Sequence, residues 1–411
     1  MPVNVQSEIG RLREVLVHTP GEELLAVTPD TRGDYLYDDI IHVDTARKEH
    51  GRFVAILERF CKVYHVRDLL VEILDRPEVR DLLIREAMDV AQSEPLAREL
   101  TQATGETVVR WLIEGRDEPM GPLAALLNEA GYQLPPLPNL FFTRDTAMSI
   151  GEHVMIGSMR HGVRWSEELI MKALFSHHPS LANRGILYDG SAERRTAYTL
   201  EGGDVHPLNS ETVMIGFSER SSPSAIDRLT ELLFTQAGIT RVIVVVMPKE
   251  ATAIHLDMVF TQVDRHLCVV YPPMFIGPER LSVLLWRRGD RNLKEMPDVF
   301  AALEACDLRM EPIFCGGHRR NFQDREQWAS GCNFLTLRPG VVASYARNEA
   351  TLREMEQMGF SVLTADAFLT GQSRLADDTR AVITFQGSEL VRGGGGPRCM
   401  SCPISRDDPW T

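Results

Sequence analysis

Residues 143–257 carry three acidic corners, Thr143-Arg144-Asp145, Glu201-Gly202-Gly203-Asp204 and His255-Leu256-Asp257, each close to a short apolar run. Asp145 and Asp204 stand 59 residues apart, and Asp204 and Asp257 stand 53 apart. A recurrence of about 50 residues marks a repeated supersecondary unit. It predicts strand–helix units in a propeller-like arrangement whose corners converge on one centre. Cys399 lies 142 residues past Asp257, which leaves room for further units and lets the terminal loop close the ring.

Working outward, the runs at 153–159, 212–217, 241–248, 267–273, 340–346, 361–365 and 381–385 are short and apolar, many of them rich in Val and Ile. They read as strands. Helical spacing separates most of them, as in 224–238 and 349–359. Near the start, Val15-Leu16-Val17 reads as a strand that stops at Thr19-Pro20-Gly21. Residues 44–62 set Phe53, Ile56, Leu57 and Phe60 on one helical face, and 63–66 follow as a strand. Residues 68–130 differ, with apolar positions recurring at three and four and almost no strand signal. The expectation is an α/β chain in which 1–67 and 131–411 form the main domain and 68–130 an inserted helical subdomain.

A formal net charge of −14 with no basic stripe argues against a nucleic-acid partner. The first 18 residues lack the apolar core of an export signal, and no run of about 18 apolar residues offers a membrane span. Seven scattered cysteines, an odd number, fit reduced thiols in a cytoplasmic protein.

The chemistry centres on Arg392-Gly-Gly-Gly-Gly-Pro-Arg-Cys399-Met-Ser-Cys402. Four glycines and a proline are a poor helix and a poor strand, so this is a loop that presents Cys399. That thiol could be a nucleophile, a metal ligand or half of a Cys-x-x-Cys pair. No second Cys or His pair completes a four-ligand metal set, and a redox motif of the thioredoxin type would open a helix after the first strand. Each corner also has a plain structural reading. Asp145 suits a turn, 201–204 a tight turn, His255 a satisfied core histidine and Cys402 packing. Taken together, several carboxylates, one His and one Cys are the components of nucleophilic attack on a cation. Paired carboxylates match the planar fork of a guanidinium, a thiolate can attack its carbon, and His can protonate the leaving amine.

With those residues in view the chain resembles the arginine deiminases, of the guanidino-group-modifying superfamily, almost end to end. The likeness runs through Ile9-Gly-Arg-Leu-Arg-Glu-Val, Asp38-Asp39-Ile40, Leu137-Pro-Asn-Leu-Phe-Phe-Thr-Arg-Asp145, the Glu201 loop, Ser218-Glu-Arg-Ser, His255-Leu-Asp-Met-Val-Phe-Thr, Cys399-Met-Ser-Cys-Pro-Ile and the helical insertion. The resemblance implies a five-bladed, pentein-like αβ-propeller with the active site in its central channel. It implies Cys399 as nucleophile, His255 as general acid and base, Glu201 as the carboxylate keeping His255 protonated, and Asp145 and Asp257 as the grip on the guanidinium. Asn139, Phe142, Arg164, Asp204 and Arg220 fall on its substrate-binding shell. It implies a metal-free, cofactor-free hydrolysis of a small guanidino substrate, L-arginine to L-citrulline and ammonia, in a homo-oligomer.

One position departs from the family. Where a second arginine of the glycine loop meets the substrate's α-carboxylate, this chain has Gly394. A lost charge-assisted contact is worth about 1.5–3 kcal/mol, roughly 10- to 150-fold in affinity. Arg164, Arg220 or Arg398 would have to compensate, or the substrate is another guanidine such as an agmatine-like compound or a modified arginine. A non-catalytic guanidine sensor and a Cys399/Cys402 redox protein are readings from other classes.

Overall fold

A computed structural model describes residues 2–91, 93–127, 131–192, 198–373, 375–376 and 378–410. Its main chain repeats one pattern five times: a first strand antiparallel to a central strand, and a third strand parallel to that central one. In the first unit β1 (Leu12–Val17) is central, between β2 (Lys62–His65) and the C-terminal β20 (Cys402–Arg406). The second unit is β5 (Ala147–Ile150), β6 (His153–Ile156) and β7 (Ile186–Asp189). The third is β8 (Val205–Asn209), β9 (Thr212–Phe217) and β10 (Arg241–Val246). The fourth is β11 (Phe260–Asp264), β12 (Leu267–Val270) and β15 (Glu311–Phe314). The fifth is β16 (Leu335–Arg338), β17 (Val341–Tyr345) and β19 (Ala381–Phe385), with β18 (Ser361–Thr364) on its edge.

A parallel neighbour needs a crossover, and helices such as Val43–Leu57, Trp165–His177, Pro223–Gln236 and Glu349–Gln357 lie in these connections. The link between β12 and β15 instead lends β13 (Ser282–Arg287) and β14 (Lys294–Met296) to the third sheet. Side chains of a strand alternate between faces, and here both faces are covered. Along β9 and β10, Met214, Ile243 and Val245 join an apolar cluster with the fourth and fifth units, whereas Val213, Ile215 and Val242 join one with the second. In β1, Leu16 packs towards the second unit, and Val15 and Val17 pack against Leu335, Leu337 and Ile383 of the fifth. Burial on both sides explains why these strands read as unbroken apolar runs.

Between β2 and β5 lie the helices Val66–Ile73, Pro77–Ala91, Glu94–Gln102, Gly105–Glu114 and Pro122–Leu127. The side chains of Ser93 and Thr104 cap two of them by accepting from Leu96 N and Thr107 N. Val66, expected in the preceding strand, begins the first helix instead. Gly115 (φ 85°) ends the fourth, and a two-stranded pair follows, β3 (Arg116–Asp117) with β4 (Tyr132–Leu134). Strands of two and three residues are too short to show alternation, so the sequence did not reveal them. Residues 128–130, the end of the expected helical subdomain, lie outside the described residues.

Two corners approach so closely that a side chain has no room: a Cβ on Gly202 would lie 2.0 Å from the Arg144 carbonyl oxygen. Gly202→Ala is expected to cost about 1–3 kcal/mol of stability through this clash. Gly51→Ala, in an exposed position of the helix Val43–Leu57 with nothing within 4 Å, is expected to stabilise by about 0.5–1 kcal/mol. Urea unfolding of the two variants measures both.

Candidate active site

Each unit places a corner immediately before its first strand. Asp145 sits in a single helical turn, Thr143–Thr146, ahead of β5, and Glu201 to Asp204 precede β8. His255 and Asp257 precede β11, Asn333 precedes β16, and Cys399 precedes β20. The corners are tied directly, since Arg144 N donates to the Cys399 carbonyl at 3.1 Å. Three of them, at Asp145, His255 and Cys399, open on a small cavity of about 30 Å³ that Asn139, Phe142, Arg164 and Arg220 also line.

His255 Nε2 lies 2.8 Å from Glu201 Oε2, and its Nδ1 lies 3.7 Å from Asp145 Oδ1. With Nε2–H turned to Glu201, Nδ1 is the nitrogen left to exchange a proton in the cavity. Burial disfavours the charged imidazole, but Asp145 and Glu201 outweigh it and hold the pKa up at about 9. Burial likewise opposes the Glu201 charge, yet Arg220 and His255 keep its carboxyl well below the usual range. Glu201 Oε1 also accepts from Arg160 N at 2.9 Å, and Oε2 pairs with Arg220 Nη1 at 3.3 Å.

Asp145 and Asp257 each use one oxygen on a protein cation. Arg164 Nη1 reaches Asp145 Oδ2, and Arg398 Nη1 reaches Asp257 Oδ2, both at 2.7 Å. The other oxygen of each, Oδ1, is buried with no hydrogen-bond partner among the described residues. Buried carboxylate oxygens without a hydrogen bond are sites where a donor would be favoured. The Cys399 thiol is pushed well above its usual range, first by burial and then by Asp257 and Asp145. Its Sγ is 3.5 Å from Asp257 Oδ2.

The expected substrate-binding residues divide into those at the cavity and those behind it. Asn139 and Phe142 line the cavity, Asn139 Nδ2 donating to the Tyr35 carbonyl at 2.8 Å and Phe142 packing on the glycine loop. A Cβ on Gly395 would lie 2.3 Å from the Phe142 ring, so only glycine lets the loop lie flat there. Arg164 lines the cavity with every nitrogen engaged, by Asp145, by Glu167 and by the Asn139 and Phe142 carbonyls. Arg220 lines it too, with Nε near Glu219 and Nη1 near Glu201. Asp204 does not line it. Its Oδ2 accepts from Ser218 and Ser221 at 2.6 Å each, and its Oδ1 from Leu256 N at 2.8 Å, so it fixes the backbone beside His255 instead of meeting a ligand. Burial, only partly offset by these donors and His255, raises its pKa to about 6. Cys402 is buried, with its Sγ 3.3 Å from the Ala147 carbonyl. Asp145, Glu201 and His255 bring donor atoms within 4.8 Å of one another, a spacing a metal ion would accept, but Arg164, Arg220 and the His255 proton already balance those carboxylates.

Sequence reasoning missed Glu8, Glu167 and Asn333. Glu167 orients Arg164 from three residues away on the next helical turn, a spacing visible in the sequence once Arg164 is singled out. Leu36, which lines the cavity with φ 66°, was missed as well. Its neighbours are anchored by the Asn139 contact and by Tyr37, whose hydroxyl donates to the Pro138 carbonyl at 2.6 Å. The Asp38-Asp39-Ile40 segment beside it was the available signal.

A family model described as arginine deiminase matches residues 33–406. The arginine deiminase of Streptococcus gordonii is 33% identical over 429 residues, covering 99% of both chains. That of Staphylococcus aureus is 32% identical over 432 residues, again covering 99% of both. Among solved structures, SxtG, an amidinotransferase from Microseira wollei in a saxitoxin biosynthetic pathway, aligns at a TM-score of 0.57 and 14% identity, covering 99% of this chain and 98% of that one. The N-terminal domain of ArgZ, a cyanobacterial arginine dihydrolase, aligns at 0.53 and 13%, covering 96% and 97%. These structural likenesses show a shared α/β fold, and the sequence matches place the chain in the arginine deiminase family.

Proposed function

We propose that this chain hydrolyses a guanidino substrate, L-arginine in the leading reading, to the ureido product and ammonia. The observation that carries it is that Asp145 and Asp257, the two aspartates whose charge bears on Cys399, each keep a buried oxygen with no hydrogen bond among the described residues. A bound guanidinium would satisfy both oxygens. It would also cancel the carboxylate field that holds the sulfur protonated, so the substrate itself favours the thiolate and the thiol proton passes to solvent. The thiolate then forms the C–S bond to the guanidinium carbon, giving a tetrahedral adduct whose nitrogens the two aspartates hold. The C–N bond breaks as His255 Nδ1–H protonates the departing ammonia, leaving a thiouronium. Water, losing its proton to His255, attacks the same carbon. The C–S bond breaks and the ureido product leaves.

We also read the five sheets as the blades of a propeller around this cavity, with 68–130 as an insertion. A homo-oligomer in the cytoplasm completes the reading and rests on the family resemblance. No helix among the described residues is long and apolar enough to cross a membrane.

Gly394 keeps the second reading, another guanidine, in play. It is left-handed (φ 83°), and a Cβ there would meet nothing within 4 Å. Of the arginines able to compensate, Arg398 is wholly buried on Glu8, Asp257 and two carbonyls, and Arg164 is fully engaged. Arg220 keeps Nη2 without an acceptor among the described residues, so it is the cation available for a carboxylate.

Ammonia release across L-arginine, agmatine, methylated arginines and guanidinobutyrate tests the substrate. Turnover of L-arginine that disappears in Cys399→Ser is the expected result; turnover confined to another member would replace arginine as the substrate, and none at all would sink the hydrolase reading. The pH profile is a separate check. His255 must be protonated to release ammonia, so activity is expected to fall as pH rises through about 9. Glu201→Gln removes one of the carboxylates that raise that value, and the alkaline limb is expected to move down towards 6.5. An unmoved limb would take the proton-donor role away from His255.

A further inference from the structure

The sulfur of Cys399 sits in an electrostatic conflict. It must carry negative charge to attack, yet Asp257 lies against it and Asp145 lines the same cavity. A cationic side chain beside it would favour the thiolate but repel the guanidinium that has to reach it. A neutral donor favours the one without repelling the other. The structure holds such a donor in Asn333, which is 1% exposed at the head of β16.

Its orientation is determined by its partners. Asn333 Oδ1 accepts from Arg398 N at 3.0 Å and Cys399 N at 3.2 Å, two groups that can only donate. Nδ2 must therefore face the other way, and it lies 3.1 Å from Cys399 Sγ and 3.3 Å from the Asp257 carbonyl. One carboxamide thus grips the nucleophile's backbone and its sulfur together, and ties both to the corner that holds Asp257. The glycine loop accommodates it, because a Cβ on Gly396 would lie 2.8 Å from Asn333 Oδ1.

Resting on the reading of Cys399 as nucleophile, we propose that Asn333 is a further catalytic residue, whose Nδ2–H hydrogen-bonds the attacking sulfur as negative charge develops on it. The test compares Asn333→Asp, which keeps an acceptor for the two backbone N–H groups, with Asn333→Ala. Alkylation of Cys399 by iodoacetamide is followed against pH by peptide mass spectrometry, alongside kcat and KM. The expected result is an alkylation midpoint raised by about one pH unit or more, with kcat/KM down about 10- to 100-fold, carried by kcat. In Asn333→Ala, which adds no charge beside the sulfur, a residue that only supports the fold would lower the melting temperature and leave the midpoint in place. An unchanged midpoint in either folded variant overturns the proposal. Should neither variant fold, the side-chain amide of Asn333, ¹⁵N-labelled in the wild-type protein, is expected to shift with the Cys399 titration, and a resonance indifferent to it overturns the proposal equally. Alkylation requires no turnover, so its outcome is separate from the substrate panel, where absence of any turnover would count against the hydrolase reading instead.

Discussion

One buried carboxylate holds the centre of this molecule together. Glu8 Oε1 pairs with Arg144 Nη1 at 3.0 Å, and Oε2 with Arg398 Nε at 3.2 Å. These two arginines immediately precede Asp145 and Cys399, so Glu8 fixes the spacing of two corners from behind. Burial alone would neutralise the Glu8 acid, but Arg144, Arg398 and Arg406 hold its pKa at about 2. Removing such a charge leaves two interior cations facing each other, the kind of loss that costs about 3–5 kcal/mol. Arg398 then passes the constraint on through Asp257 and the carbonyls of Gly203 and Val205. The site is therefore the visible side of a charge network that also anchors the strands around it.

That network sets the terms of the chemistry. Around the cavity, Arg164 and Arg220 balance Asp145 and Glu201, and His255 carries a proton well past neutral pH. Asp145 and Asp257 each keep one buried oxygen, Oδ1, without a hydrogen bond among the described residues. A preorganised site of this kind concentrates its electrostatic advantage on the reacting complex and gives little to the free thiol.

Much of this was legible in the sequence. Residues 212–217 and 381–385 are strands with the bounds their apolar runs gave, and 241–248 loses only its last two residues. Two of the three acidic corners line one cavity, through Asp145 and His255, together with the glycine loop and Cys399, while Glu201 of the third reaches it by pairing with His255. The spacing rule failed at Asn333, which lies 76 residues past Asp257, because β13 and β14 leave the fourth unit to widen the third sheet. A neutral amide at an irregular interval carries no signal in a single sequence. Glu8 was invisible for another reason: its partners lie 136 and 390 residues away. Asp204 shows what the sequence leaves out in the other direction: a carboxylate in a corner looks like a ligand contact, and here it also accepts from Ser218, Ser221 and Leu256 N.

The pairing of β20 with β1 has a consequence for how the chain comes into being. These strands are separated by nearly 400 residues, roughly the span of the other four units, and Cys399 lies just before the later one. During synthesis the first unit waits, with one side of its central strand unpaired, until the strands of the other four units have emerged. Cys399 reaches the carboxylates only when that last strand docks. Each nascent chain therefore has its acidic corners before the sulfur that lies among them.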